Sequence, residues 1–135
     1  MTTYESKIVA IHKRAEDIFR VLSDFRNFTP IAKDKLENWQ AEEDRCSFTF
    51  KGMGPFGINI TESEPFKTIK FSGDELSPLP FFMWIQLKEV APYDTRLKIT
   101  VKAELNMMMR MMIGNKFEEG INTLAAGIAA AFNAA

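Results

Sequence analysis

Residues 106–135 read NMMMRMMIGNKFEEGINTLAAGIAAAFNAA, and this stretch decides the fold. Ile113, Phe117, Ile121, Leu124, Ile128 and Phe132 follow one another at steps of four, four, three, four and four, which places them on a single helical face. Five methionines occupy six positions at the start of that helix. Thioethers on unbranched stems fill irregular space and re-pack around variable partners, so the run reads either as plastic core or as an adaptable ligand pocket. Gly114, Gly120 and Gly127 interrupt the helix at a cost of about 1 kcal/mol each relative to alanine, which points either to close packing or to open volume beside them.

Strands precede this helix. The run Ile8, Val9, Ala10, Ile11 predicts a first strand over residues 4–12, and residues 15–22 predict a helix with Glu16 and Asp17 in its first turn. Residues 25–31 read as a second short helix broken at Pro30. From Leu36 the apolar period becomes two and stays so for about seventy residues. Strands are expected over 36–41 and 45–51, with Cys46, Phe48 and Phe50 on one face; over 57–64 and 67–73; and over 81–90 and 95–105. Residues 52–57 (GMGPFG) read as a flexible link, and residues 77–80 (SPLP) close the middle pair. In the last strand Leu97, Ile99, Val101, Ala103 and Leu105 face one way, while Arg96, Lys98, Thr100, Lys102 and Glu104 face the other. The strand over 81–90 is apolar on both sides around Phe82 and Trp84, so its outer side calls for a cover or a second chain. The order is that of an α+β protein: one strand, two short helices, six strands in hairpin succession, and a long helix that the sheet must curl around.

The stretch Ala15, Glu16, Ile18, Phe19, Val21, Leu22, Ser23, Asp24, followed by Phe25 and Phe28, resembles the helix after the first strand in the START/Bet v 1-like superfamily. The segment over residues 36–54 is similar to small bacterial, polyketide cyclase-like members of that group. The resemblance spans the whole chain. It implies a helix-grip fold: a curved seven-stranded antiparallel sheet around the C-terminal helix, with a hydrophobic cavity between them. The expected walls of that cavity are Phe48, Phe50, Ile58, Ile60, Phe71, Phe81, Met83, Ile85, Ile99 and Val101 on the strands, with Met108, Met109, Met112, Ile113 and Phe117 on the helix. The superfamily holds lipid carriers, hormone receptors, cyclases, quinone binders and a co-chaperone domain, so the fold alone selects no activity.

At 135 residues, 46% hydrophobic and 26% charged, the chain fits one globular domain over residues 1–135. Seventeen basic residues against eighteen acidic ones leave no electrostatic footprint for nucleic acid. Cys46 has no partner for an internal disulfide, residues 1–17 lack a signal-peptide core, and no apolar stretch is long enough to span a membrane; a cytoplasmic protein is the expectation. The polar residues of the long helix do not form the Lys/Arg-rich face that anionic lipid attracts.

One histidine and one cysteine are too few for a metal site, and no cofactor is expected. Cys46 reads as a packed core thiol. GMGPFG lacks the features of a phosphate loop, and Glu42, Glu43 and Asp44 read as a solvated turn. His12, Asn38, Gln40, Asn59, Thr61 and Gln86 are the polar groups that would orient a ligand if they face inward, and one register step turns each of them outward. The resulting expectation is non-catalytic binding or transport of a small hydrophobic ligand, such as a lipid, quinone, sterol or polyketide-like molecule, by a monomer or homodimer. Two alternatives stay open: a cyclase- or dehydratase-like enzyme using His12, Gln86 or Tyr4 in the same cavity, and a protein-interaction module docking through Phe82, Trp84 and the methionines.

Overall fold

A computed structural model of the chain describes residues 1–50, 52 and 54–134. The strand expected over residues 4–12 forms as two pieces, β1 (Thr2–Glu5) and β2 (Val9–Ile11). Both pair antiparallel with the same partner, β8 (Asp94–Ala103), so they occupy one position in the sheet. Ser6 bridges the break. Its N–H donates to the Ile99 carbonyl at 2.8 Å, and its hydroxyl Oγ accepts the Ile99 N–H at 2.8 Å, in place of a strand carbonyl.

The remaining strands are β3 (Glu37–Ala41), β4 (Arg45–Phe50), β5 (Gly54–Glu64), β6 (Thr68–Gly73) and β7 (Phe81–Ala91). The sheet runs β1-β8-β7-β6-β5-β4-β3, with β2 beside β1 on β8, and every pairing is antiparallel. The expected link over 52–57 is corrected by this pairing: Gly54, Pro55 and Phe56 belong to β5, opposite Phe50, Thr49 and Phe48. Gly52 and Gly54 take φ of +90° and +99°, which only glycine adopts freely, and the bend is confined to their immediate surroundings. Lys51 and Met53, which fell within the expected strand and link, lie outside the described residues.

Helix α1 (Ala15–Leu22) buries Ala15, Ile18 and Leu22. Its first turn is capped from a distance, because the Ala15 N–H donates to Glu89 Oε1 of β7 at 2.8 Å. A 3₁₀ turn (Phe25–Phe28) leads into α2 (Thr29–Ala32). Pro30 sits in the first turn of α2 and starts that helix instead of breaking one, since the N–H it lacks has no helical partner at that position. The final helix, α3 (Met107–Asn133), opens with Asn106 as its cap, whose side chain accepts the Met109 N–H at 2.8 Å.

Register assigns the two faces. Cys46, Phe48, Phe56, Ile58, Ile60, Phe71, Ile69, Ile85, Ile99, Val101 and Tyr4 follow one another across the ladder on the concave face. Ile69, Phe71, Ile85, Leu97 and Ile99 are fully buried, each stabilising the fold by about 1.5–3 kcal/mol. Helix α3 lies along β1, β2 and β8 and is tied to the β1/β2 edge by two asparagines. Asn122 accepts the Lys7 N–H at 2.7 Å, and Asn133 accepts the His12 N–H at 2.8 Å while donating to the Ala10 carbonyl at 3.1 Å. Three backbone groups at that edge are thereby occupied. On the convex face Phe82 and Trp84 are half-buried. The Lys70 ammonium stands 5.0 Å from the Phe82 ring centre and 5.6 Å from that of Trp84, and Lys102 stands 5.7 Å from Trp84, so lysines of the chain itself cover these rings. The architecture is the α+β helix grip expected from the sequence.

Candidate functional site

The interior of the grip has two unequal parts. Ile58, Phe71, Phe81, Ile85, Ile99 and Val101 of the sheet are buried in one apolar cluster with residues of α1, the 3₁₀ turn and the second half of α3. Ile121, Ala125, Ile128 and Ala129 supply the helix side of that packing, and the Phe25 ring lies 5.4 Å from the Phe71 ring. Among and beside them the same concave face is only partly covered: Ile60 and Met83, the cross-strand partners of Phe71, are half-buried, as is Phe48, and Phe50 is exposed at 36%. Met109, Ile113 and Phe117 of α3 are half-buried in turn.

Aromatic rings form much of this open wall. Trp39 stacks on Phe48 at 6.2 Å, Phe48 on Phe56 at 5.6 Å, and Phe56 meets Phe50 edge-on at 6.4 Å and Phe81 at 5.9 Å. The ladder arises because Phe48 and Phe56 are direct cross-strand partners, where offset stacking adds about 0.5–1.5 kcal/mol beyond burial. The Trp39 indole N–H is satisfied by Thr29 Oγ1 at 2.9 Å.

The methionines divide. Met109 packs into the grip, whereas Met107, Met108, Met111 and Met112 are 69–83% exposed on the opposite side of α3. Of the fifteen residues expected to line a cavity, Met108 and Met112 therefore point to solvent, and the other thirteen lie on the concave sheet face or the facing side of α3.

Polar groups expected to orient a ligand lie elsewhere. His12 is exposed at the end of β2. Gln40 and Asn59 pair in register with Ser47 and Ser72 on the convex face. Thr61 Oγ1 lies 3.3 Å from Ser72 Oγ, Gln86 accepts from Thr100 Oγ1 at 3.2 Å, and Asn38 donates to Thr49 Oγ1 at 3.2 Å. Since Phe48, Ile58, Ile60 and Ile85 face inward, their neighbours in sequence must face out. Tyr4 is the exception: it faces the grip, with its ring 5.8 Å from that of Phe117 and nearly parallel to it, at 14°.

Cys46 is 2% exposed, and burial pushes its thiol up to about 12, with Arg45 opposing the shift and Asp74 adding to it. Burial of this kind keeps the thiol protonated at neutral pH and makes it a poor nucleophile. Among the described residues no three His, Cys, Asp or Glu side chains converge on a metal position, and no helix is long and apolar enough to cross a membrane.

An apolar cleft of about 160 Å³ opens at the other end of α3, lined by Val21, Leu22, Asn27, Phe28, Ile31, Ile128, Ala131 and Phe132. An apolar cavity of about 150 Å³ accepts benzene, so this cleft has room for a small hydrophobic molecule or fragment. Ile128 and Phe132 belong to the stripe read from sequence, but the residues facing them from α1, the 3₁₀ turn and α2 were not legible as a wall, because only the tertiary fold brings those elements to the last turns of α3.

No family model matches the chain, and no curated protein matches it. Its likeness to solved structures is strong. A norcoclaurine synthase point mutant from Thalictrum flavum, in complex with a transition-state analogue, superposes with a TM-score of 0.75 at 11% identity, covering 98% of this chain and 96% of that one. The Aha1 dimer from Colwellia psychrerythraea gives a TM-score of 0.68 at 16% identity, over 98% and 97%. A START superfamily protein from Mycobacterium smegmatis gives 0.66 at 13% identity, over 93% and 96%. Identities this low establish a shared backbone path and leave chemistry open. The chain shares the helix-grip fold of these structures, and an apolar cleft of about 160 Å³ opens beside the last turns of its α3.

Proposed function

We propose that the protein binds or carries a small hydrophobic ligand, non-catalytically, between the partly covered part of the concave sheet and the first half of α3. One observation carries the reading: Phe48, Phe50, Ile60 and Met83 on the sheet, with Met109, Ile113 and Phe117 on the helix, form an apolar lining that the fold itself leaves partly uncovered. A lining of this kind gains stability when an apolar molecule removes it from water, by about 25 cal/mol per Å² covered. The stacked rings of Trp39, Phe48 and Phe56 suit a flat or elongated apolar body. The outward placement of His12 and the raised thiol of Cys46 support binding over catalysis. Native mass spectrometry of the purified full chain, paired with thermal shift against fatty acids, sterols and quinones, tests the proposal. A co-purifying lipophile or a saturable rise in Tm is the expected result; no adduct and no shift with any of these classes refutes it.

A second reading has its own observation. Met107, Met108, Met111 and Met112 present adjacent, flexible apolar side chains to solvent at the start of α3, as an interaction surface would. On that reading the chain forms a homodimer or a complex through this helix face. Light scattering across a concentration series separates the two: a monomer throughout excludes the homodimer.

A further inference from the structure

Tyr4 is a polar side chain on the concave face that packs against α3 and whose hydroxyl makes no hydrogen bond to the described residues. The three buried hydroxyls among the described residues are committed: Thr100 Oγ1 donates to Gln86 Oε1 at 3.2 Å, and the other two bond to backbone. Thr95 Oγ1 donates to the Lys13 carbonyl at 2.8 Å, and Ser6 Oγ accepts from the Ile99 N–H and donates to the Lys7 carbonyl at 2.9 Å. Tyr4 Oη has no such partner among the described residues, and it is not sealed from solvent. Its position is nevertheless well defined. The ring is stacked on Phe117, β1 fixes its backbone opposite Val101, and the hydroxyl rests against α3 where Gly114 lacks a side chain; a Cβ there would lie 3.2 Å from Tyr4 Oη. Val101, Met83 beyond it, and Ile113 and Phe117 on the helix make the surroundings apolar.

We infer that Tyr4 is the polar anchor of the ligand site, and that the ligand is an amphipathic lipophile: an apolar body against the aromatic wall, with one hydroxyl, carbonyl or carboxyl oxygen meeting Tyr4 Oη. The inference rests on the binding function proposed above and adds the chemical class of what is bound. A phenol hydroxyl both donates and accepts, so it serves any of these oxygens. A single fixed polar group in an apolar wall sets the orientation of a ligand and disfavours analogues that leave the group unpaired.

The test uses two probes of matched shape, 2-naphthol and 2-methylnaphthalene, titrated into the full chain by fluorescence for wild type and Tyr4→Phe. The ratio of 2-naphthol to 2-methylnaphthalene affinity is expected to be about five- to tenfold higher in wild type than in Tyr4→Phe, the effect of one neutral hydrogen bond, and that excess is the 2-naphthol preference. Tyr4→Phe is expected to lose that preference and to keep its affinity for 2-methylnaphthalene. Equal 2-naphthol binding by both proteins, or an equal loss for both probes in Tyr4→Phe, overturns the anchor and leaves the binding function standing. Failure of wild type to bind either probe while a fatty acid, sterol or quinone raises its Tm overturns the anchor alone; no binding by any of them overturns both. Gly114→Ala provides a second variant with the tyrosine retained: its new methyl displaces Oη, so the 2-naphthol preference is expected to shrink, and an undiminished preference counts against the anchor.

Discussion

Alanine replacements at the three glycines of α3 separate close approach from spare room on one helix. Glycine in a helix interior is about 0.8–1 kcal/mol less favourable than alanine, so each replacement starts with the same expected gain. At Gly120 an added Cβ meets nothing within 4 Å, and the full gain of about 1 kcal/mol is expected, a Tm rise of about 3–4 °C for a chain of this length. At Gly127 the Cβ would lie 3.5 Å from Ile31 Cγ2, an ordinary van der Waals contact, so Gly127→Ala should stabilise at least as much. At Gly114 the Cβ would stand 3.2 Å from Tyr4 Oη on a ring already held against Phe117. Overpacking of that kind costs about 1–3 kcal/mol, which cancels or exceeds the helical gain, so Tm should stay level or fall. Thermal and urea unfolding followed by far-ultraviolet circular dichroism reads all three. If Gly114→Ala stabilises as much as Gly120→Ala, Tyr4 is not held against the helix and the reasoning fails; if Gly120→Ala gives nothing, the helix is not continuous through its middle.

Phe71→Ala removes a fully buried ring from the centre of the concave face and should cost about 3–5 kcal/mol, read as a drop in urea midpoint at unchanged slope. Ser6→Ala leaves the Ile99 N–H without its acceptor and should cost about 1–3 kcal/mol, with faster hydrogen exchange at the Ile99 amide as the specific sign. Cys46, with its thiol at about 12, should resist iodoacetamide in the folded protein, since only about one molecule in ten thousand is thiolate at pH near 8, and should react once urea unfolds the chain; rapid native labelling would show that the thiol is neither buried nor raised.

The sheet was largely legible because period-two alternation carries its own facing. Leu97, Ile99, Val101 and Ala103 are buried and Lys102 is exposed as the pattern requires. The break at Ser6 was not legible: a serine hydroxyl takes the role of a strand carbonyl only because Ile99 stands opposite, and that is tertiary information. Glycine content made residues 52–57 look like a link, but Phe48, Thr49 and Phe50 of β4 lack a partner on that side unless Phe56, Pro55 and Gly54 pair with them, and the demand of their backbone groups outweighs the local preference of the glycines. The methionines could have been divided from sequence. Met109 continues the stripe backward from Ile113 and Phe117 at steps of four, whereas Met108 and Met112 each precede a stripe position by one residue and so sit about 100° away around the helix.

Helix α3 is held unevenly along its 27 residues. Asn122 and Asn133 fasten its second half to the β1/β2 edge, and four of its five buried residues, Ile121, Ala125, Ile128 and Ala129, lie in that half. The fifth is Gly114, buried under Tyr4. The first turns contribute only Met109 and Ile113 to the interior and expose four methionines, so removing them from the sheet uncovers little apolar area, and opening free energy falls toward Met107. Stability is thus divided unevenly along one element: the asparagine-fastened half holds the β1/β2 edge, and the half that passes Tyr4 through Gly114 has the least buried apolar area to keep it in place.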